Sequence, residues 1–429
     1  MPPYSPGRRT ALVLCGTGAH GAYHAGVLRA LEEAAVKIDV VAGHGVGAAS
    51  AALAAIGGSA RLWEPDGLWR GAAAPAFYRW KRPLRAGAWI VIALVAVVVF
   101  VAARDAFGLA VGGWWLSLLP VASLLALLIA LAREGRTGAR GSQGKRRTRG
   151  RPWWRLLGAP LDADGIRQAF TDTLTHLIRG ASPTSRSTPS ELGRGYAEVL
   201  ADNLGQPGFR EVMLVVTDLD ARIDLVAALL RKPYHRQFAA PRPGRERSAE
   251  IVDLAGPGRD HLVDVIAGAL TPPTICDPQP MTFGVESYWR GETHRLCDRP
   301  GASVHLIEEL AATGVKQAIL VSGVAPALKP HRLSSPRLEL QHRLAEFLAA
   351  AEAAALRDAI EMAQLRFDSV YVIAPSHNPV GVFDVAGAYD EASDRTQTLV
   401  ELLARAYEDA YHQFIEPVVG ASGERLVQS

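Results

Sequence analysis

The sequence predicts an α/β fold with a parallel central sheet, and two observations near its start support that prediction. An apolar run at 11–14 stops at a glycine-rich segment, and a helical pattern follows over 22–34. A second apolar run at 38–42 stops at a second glycine-rich segment, and a small-residue helix follows over 48–56. Two strands that each turn directly into a helix place both glycine segments at the carboxyl ends of neighbouring parallel strands. Open α/β sheets bind their ligands at those ends.

Strands and helices continue to alternate after residue 160, so the second half of the chain extends the same sheet. The predicted strands are 211–218, 317–322 and 369–374, and the predicted helices are 161–178, 258–270, 303–313, 338–364 and 396–416. The polar stretch 231–250 is rich in Pro and Arg and is predicted to be a long surface loop. We therefore expect one α/β domain made of residues 8–80 and 153–420.

Two uncharged apolar runs, 86–103 and 106–132, interrupt this domain. A bilayer core requires about 20 apolar residues per helix, so each run is long enough to span it. Because a helix satisfies its own backbone hydrogen bonds in lipid, the pair predicts an inserted two-helix transmembrane hairpin over 86–132. A hairpin buried in a large soluble core is the alternative.

Basic residues flank the two apolar runs on both sides. Lys81, Arg82 and Arg85 precede them, and the basic segment 133–152, predicted to be a disordered linker, follows them. By the positive-inside rule, both termini and the α/β domain are expected on the cytoplasmic side of a bacterial inner membrane. The hairpin would then make the chain a multi-pass membrane protein.

Composition narrows the classes of function. The net charge is only +3, and its basic residues cluster beside the apolar runs, so we expect a lipid surface rather than nucleic acid as their partner. The three cysteines, Cys15, Cys276 and Cys297, show neither metal-ligand spacing nor a disulfide framework, which is typical of a reducing compartment. We expect no metal and no cofactor, and the sequence does not identify a protein partner.

The two glycine segments carry the functional prediction. Residues 16–21 read GTGAHG and residues 43–47 read GHGVG. This arrangement resembles the start of the patatin-like phospholipase family, which opens with a glycine-rich oxyanion loop, G-G-G-x-R/K-G, and a G-x-S-x-G nucleophile elbow. In the first segment Gly16, Gly18 and Gly21 match the loop, Thr17 replaces a glycine, and His20 replaces the basic residue.

The second segment departs from the family at its central position. Gly43 and Gly47 match the outer glycines of the elbow, with His44 and Val46 between them, but Gly45 stands where the resemblance requires the serine nucleophile. Farther along, Asp298 aligns with the aspartate of the family's Ser-Asp dyad. Arg299 and Pro300 replace the small residues that follow that aspartate in the family.

The resemblance implies a three-layer patatin-like fold and a serine acyl hydrolase that acts on lipids. Removing the serine from such a site costs on the order of 10⁶ in rate. We therefore predict an inactive acyl hydrolase that retains a cleft for a membrane lipid or an acyl group, with Gly16–Gly21 as its oxyanion or anion cradle. The alternative is an active lipid hydrolase with a different nucleophile, for which Cys15 and Thr17 are the nearest candidates.

Two further interpretations concern the same segments. Gly16, Gly18 and Gly21 also satisfy a dinucleotide-binding fingerprint, and Asp39 follows as a candidate ribose ligand. That match is weaker, because Asp39 precedes the second strand whereas the fingerprint's acidic residue ends it. His20, His24 and His44, in and beside the two segments, are expected to be polar residues on the rim of the cleft, with His20 available to bind an anion.

Overall fold

The computed structural model describes residues 4–106, 159–179, 188–241, 247–285, 287–326 and 340–420, together with Ala122 and Ile129. The chain divides into two compact units. The first comprises residues 1–78, 163–273 and 278–429, and the second comprises residues 79–162 and 274–277. The candidate site lies entirely within the first unit.

The strands, in chain order, are β1 (Thr10–Gly16), β2 (Val40–Gly45), β3 (Arg79–Trp80), β4 (Leu161–Asp162), β5 (Glu211–Asp218), β6 (Ile223–Leu229), β7 (Ala249–Asp253), β8 (Gln279–Thr282), β9 (Thr293–Cys297), β10 (Gln317–Ser322), β11 (Ser369–Ile373), β12 (Ala388–Asp390) and β13 (Arg395–Gln397). Nine of them form one sheet, in which seven follow the order β11-β10-β1-β2-β5-β6-β7. β9 also pairs with β5, and β8 pairs with β9.

The helices, in chain order, are α1 (Gly21–Glu33), α2 (Val46–Ala55), α3 (Ala60–Trp63), α4 (Arg82–Ala106), α5 (Asp164–Arg179), α6 (Pro189–Asn203), α7 (Lys232–Ala239), α8 (Leu262–Ala269), α9 (Ser303–Ala312), α10 (Leu340–Arg366) and α11 (Leu399–Ala410). α11 continues into a π-helical turn, Tyr411–Val419. α1 packs against α2 and α11, whereas α9 packs against α10. The described residues thus form a sheet flanked by helices, as predicted.

The central sheet is mixed, so the prediction of a parallel sheet holds only in part. The run β11-β10-β1-β2-β5 is parallel throughout. β6 and β9, however, both pair with β5 in the antiparallel direction. The reason is local: β5 turns back directly into β6 without a crossover helix, and a parallel pair needs such a crossover.

Burial explains why the first strands were recognisable in the sequence. Every residue of β1, β2, β5 and β10 is buried, and such strands read as continuous apolar runs rather than alternating ones. One face of the sheet packs on α9 and α10, through residues that include Val13, Val40, Leu306 and Ala359. This packing fixes β1 and β2 side by side.

The stretch 231–250 is not the long loop that its composition predicted. It contains α7 and the first residues of β7. Pro233 lies in the first turn of α7, where a missing backbone N–H costs nothing, and Phe238 is fully buried beneath the helix. The loop prediction was therefore wrong, because a polar composition rich in Pro and Arg is also compatible with a short helix that has Pro in its first turn.

The predicted transmembrane hairpin is not found in the described part of the chain. α4 covers the first apolar run, but none of the helices described reaches the length and mean hydropathy of a membrane span. The second run beyond Ala106, apart from Ala122 and Ile129, and the basic segment 133–152 lie outside the described residues. The second unit also holds the two-stranded pairing of β3 with β4.

Candidate functional site

The second glycine segment forms a sharp turn from strand to helix. β2 ends at Gly45 and α2 begins at the next residue, Val46. Gly45 has φ 58° and ψ −137°, a conformation that costs a non-glycine residue roughly 1–3 kcal/mol. Gly43 and Gly47 are needed for close packing, because a Cβ at Gly43 would overlap the Gly47 carbonyl oxygen. The chain therefore has the backbone of the predicted elbow.

The space above Gly45 is already occupied. Gly45 pairs in register with Gly16 of β1, and a Cβ built at Gly45 would overlap the Gly16 carbonyl oxygen. The same Cβ would lie 2.8 Å from Oδ2 of Asp298. Asp298 follows the last residue of β9, so the structure brings this predicted carboxylate to the elbow.

Asp298 is buried and holds three polar contacts. Its Oδ2 accepts a hydrogen bond of 2.6 Å from the Thr17 hydroxyl. Its Oδ1 lies 3.4 Å from Nδ1 of His44, and its backbone N–H donates to the Thr271 carbonyl oxygen at 2.9 Å. The Thr17 contact has the length expected between a nucleophile and its base.

The Asp298 carboxylate favours the protonated form of His44. Burial lowers the pKa of its imidazole, but hydrogen bonds to Asp298 and Cys15 overcome that effect and raise the pKa well above its ordinary value. Cys15 is the register partner of His44 on β1. Asp298 and His44 therefore form a buried acid–imidazole contact beside the elbow.

The first glycine segment forms a tight turn that leads into α1. All residues from Gly16 to Gly21 are buried. The backbone N–H of Ala19 donates to the Val382 carbonyl oxygen at 2.8 Å. Gly18 has φ 59°, and a Cβ there would overlap the same carbonyl oxygen. The predicted cradle thus already holds a carbonyl group, which comes from the chain itself.

Comparison with known families decides the identity of this fold. The model of the patatin-like phospholipase family matches residues 12–288, which is more than half of the chain and includes both glycine segments. The chain belongs to the patatin-like phospholipase family. The comparison with curated proteins finds no match.

Two solved structures align with this patatin-family chain over nearly its whole length. VipD from Legionella pneumophila is 14% identical, and the alignment covers 96% of this chain and 67% of VipD, with a TM-score of 0.32. The type III effector ExoU is 18% identical, and the alignment covers 95% of this chain and 53% of ExoU, also with a TM-score of 0.32.

The histidines of the patatin-family segments are not on a rim. His20, His24 and His44 are all buried. His20 places Nδ1 3.0 Å from a carboxylate oxygen of Glu352 on α10, and burial lowers the pKa of His24 to about 3. The rim prediction was wrong, because Glu352 of α10 contacts His20 and Asp298, which follows β9, contacts His44.

The dinucleotide interpretation meets a geometric obstacle. Asp39 immediately precedes β2, whereas the glycine segment 16–21 begins where β1 ends. Because β1 and β2 are parallel, Asp39 and the glycine segment lie at opposite ends of these strands. Among the described residues there is also no group of three His, Cys, Asp or Glu side chains that could hold a metal ion.

Sequence reasoning missed a second polar cluster near the elbow. It is centred on Asp224 at the start of β6, which accepts hydrogen bonds from Thr217 and His305 at 2.6 Å each. Arg299, the residue after Asp298, also donates to Asp224. The signal in the sequence was Arg299 itself, which stands where the family has a small residue.

Proposed function

We propose that this patatin-family chain does not turn over acyl esters and instead binds a lipid or an acyl group at a membrane. The observation that carries the first half is the space above Gly45. No side chain is present there to attack a carbonyl, and the Gly16 carbonyl oxygen occupies the volume that a serine Cβ would need. An elbow without a nucleophile retains only binding and oxyanion effects.

The glycine cradle supports the second half of the proposal. Oxyanion stabilisation requires backbone N–H groups at the position of the developing charge. Here the Ala19 N–H already binds the Val382 carbonyl oxygen, so a peptide carbonyl takes the place of an acyl carbonyl. A lipid acyl group would enter by exchanging with Val382, and the start of α2 would present the positive end of its dipole to the same place.

Membrane association rests on the surface of α4. Six of its large apolar side chains are between 51% and 71% exposed: Trp89, Val91, Ile92, Val95, Val99 and Phe100. Contiguous apolar surface of this kind marks interaction sites, and a bilayer is the partner that the neighbouring basic residues favour. We place the chain at the bacterial cytoplasmic membrane through residues 86–103 and 106–132, with both termini on the cytoplasmic side.

Turnover assays test the loss of hydrolysis. The full chain is expected to hydrolyse neither short-chain esters nor phospholipid vesicles faster than they hydrolyse in buffer alone. Hydrolysis by the natural sequence that disappears on substitution of a single residue beside Gly45 would overturn the proposal.

Vesicle flotation tests the membrane association separately. Replacing Trp89 and Phe100 by Ser removes two side chains, each of which contributes ~1.5–3 kcal/mol when buried, so binding should weaken by tenfold or more. Phe347→Ser is the matched control, since Phe347 is 71% exposed on α10. Equal binding by the double variant and the control would contradict the role of α4.

A second function deserves a test because of one contact. The hydroxyl of Thr17 donates to Asp298 at 2.6 Å, which is the arrangement of a nucleophile with its base. In this alternative the chain is a lipid acyl hydrolase that uses Thr17. Thr17→Ser would then retain hydrolysis and Thr17→Val would abolish it, whereas our proposal predicts no hydrolysis from either variant.

A further inference from the structure

A pocket of about 300 Å³ opens beside the turn between β5 and β6. It is separate from the elbow, and neither glycine segment lines it. The residues that the argument uses are Thr217, Arg222, Asp224, Ser248, Arg299 and His305. They come from the end of β5, the β5–β6 turn, the start of β6, the residue before β7, the loop after β9 and the first turn of α9.

Asp224 is buried at the base of the pocket and accepts hydrogen bonds from three of the residues that line it. Its Oδ1 accepts from the Thr217 hydroxyl, and its Oδ2 accepts from Nδ1 of His305 and from the guanidinium of Arg299. Burial raises the pKa of Asp224, but these hydrogen bonds bring it below the ordinary value. Asp224 is therefore an anion, and the hydrogen bond to it raises the pKa of His305.

The carboxylates turn inward and the cations face solvent. Asp218, the other carboxylate in the wall, is fully buried, and its oxygens accept from Nδ1 of His294 at 2.5 Å and from two backbone N–H groups. By contrast, the side chains of Arg299 and His305 are 45% and 28% exposed. Arg222 and Ser248 are exposed as well.

The charge of the pocket specifies its ligand. Arg222 and Arg299 supply two positive charges and Asp224 supplies one negative charge, while His305 adds a positive charge when it is protonated. The Asp218 charge is balanced by His294, whose pKa is raised by that carboxylate despite partial burial. The positive charges outnumber the negative one, which suits an anionic ligand, and arginine side chains favour the geometry of phosphate oxygens.

We propose that this pocket binds a phosphate monoester group, with Arg222, Arg299 and His305 as its donors. Arg222 has a left-handed backbone, φ 60°, which holds it at the tip of the β5–β6 turn. The Ser248 hydroxyl completes the rim. This inference does not depend on the acyl-binding proposal, because no residue of the glycine segments takes part.

Calorimetric titration of the full chain with inorganic phosphate tests the site, with sodium chloride of equal ionic strength as the reference. Losing a hydrogen bond to a charged group weakens binding about tenfold or more, so Arg222→Gln and Arg299→Gln should each lower the phosphate affinity by that factor. Arg236→Gln, which removes an exposed arginine of α7 outside the pocket, should bind as the natural chain does. If the Arg299→Gln variant misfolds, the Arg222→Gln variant alone still tests the phosphate site.

Two further arms identify the source of the phosphate. Soluble glycerol phosphate that competes with inorganic phosphate, without any recruitment to vesicles of phosphatidic acid, indicates a free metabolite. Recruitment to those vesicles that Arg222→Gln weakens indicates a lipid headgroup. Phosphate binding that is no tighter than chloride binding, or that the Arg236→Gln variant weakens equally, would overturn the proposal.

Discussion

Two clusters near the carboxyl ends of the central strands each contain an Asp, a Thr and a His side chain. They differ in the residues around them. In the first, Asp298 accepts from Thr17 at 2.6 Å and contacts His44 at 3.4 Å. In the second, Asp224 accepts from Thr217 and from His305, each at 2.6 Å. The first is closed: all its members are buried. The second opens into a pocket.

This difference indicates that the role of an Asp-Thr-His set depends on its burial and on whether an arginine lies beside it. In the closed cluster the Asp298 carboxylate faces buried His44, and the Gly16 carbonyl oxygen leaves no room beside Gly45. In the open pocket Arg299 shifts the balance toward positive charge. Because Asp298 and Arg299 are consecutive, one loop after β9 supplies both sites.

The largest effect that we expect separates crowding from backbone strain in the closed cluster. Gly45→Ser should lower the free energy of unfolding by roughly 2–5 kcal/mol, since it adds a strained backbone and an overlap with Gly16. Gly291→Ser is the control: Gly291 has φ 77° and no heavy atom within 4 Å of its Cβ position, so about 1 kcal/mol is expected. Urea denaturation measures both. Equal losses would show that Gly45 has room for a serine.

The next effect compares the two carboxylates. Asp298→Asn leaves charged His44 buried without its counterion and should cost roughly 3 kcal/mol in slightly acidic solution. Asp224→Asn should cost about 1 kcal/mol, because Arg299 and His305 remain accessible to water. Thermal unfolding of the two variants measures the difference. A larger loss for Asp224→Asn would contradict the contrast between a closed and an open cluster.

The pH dependence of stability gives a smaller effect with a definite sign. The pKa of folded His44 lies above its unfolded value of about 6.5, so its stabilisation is complete below that pH. The stabilisation is lost as pH rises through the folded pKa, by at most about 1.4 kcal/mol per pH unit. His44→Asn should flatten this slope. An unchanged slope would show that His44 is neutral in the folded protein.

The smallest effect concerns His305 in the open pocket. Its hydrogen bond to Asp224 raises its pKa, while Arg299 lowers it and Glu308 raises it further. NMR titration should place the pKa of His305 above its ordinary value of about 6.5, and Asp224→Asn should lower it to that value or below, because burial and Arg299 both disfavour the protonated form. A His305 pKa that Asp224→Asn leaves unaltered would show that the carboxylate does not control the charge of His305.

The sequence predicted the parts of this molecule that depend on local pattern. The strand 317–322 has the predicted bounds, and both glycine turns form where the apolar runs end. Such segments are recognisable because a buried strand and the helix after it differ in period and composition. The contact of Ala19 with Val382 was not predictable, since it joins residues far apart in the chain and involves only backbone atoms. The antiparallel β6 was missed for a similar reason, because its direction depends on a turn.

The Asp224 cluster shows why the rest of the site escaped prediction. Its members come from β5, β6, α9 and the loop after β9, and only Arg299 lies in a segment with a recognisable motif. Arg299 was visible as a departure from the family pattern, but its partner Asp224 became evident only when β6 was placed beside β5. A motif consists of residues that are close together in the sequence, whereas the residues of this pocket are close together only in the folded structure.

The central claim is that the patatin-family elbow of this chain has no nucleophile. Intact-mass analysis after incubation with a fluorophosphonate and with an activated acyl ester tests it most directly, with Thr17→Val and Cys15→Ala as companion variants. We predict that the natural chain gains no covalent adduct. An adduct that forms on the natural chain and disappears in either variant would contradict the claim and identify the attacking residue.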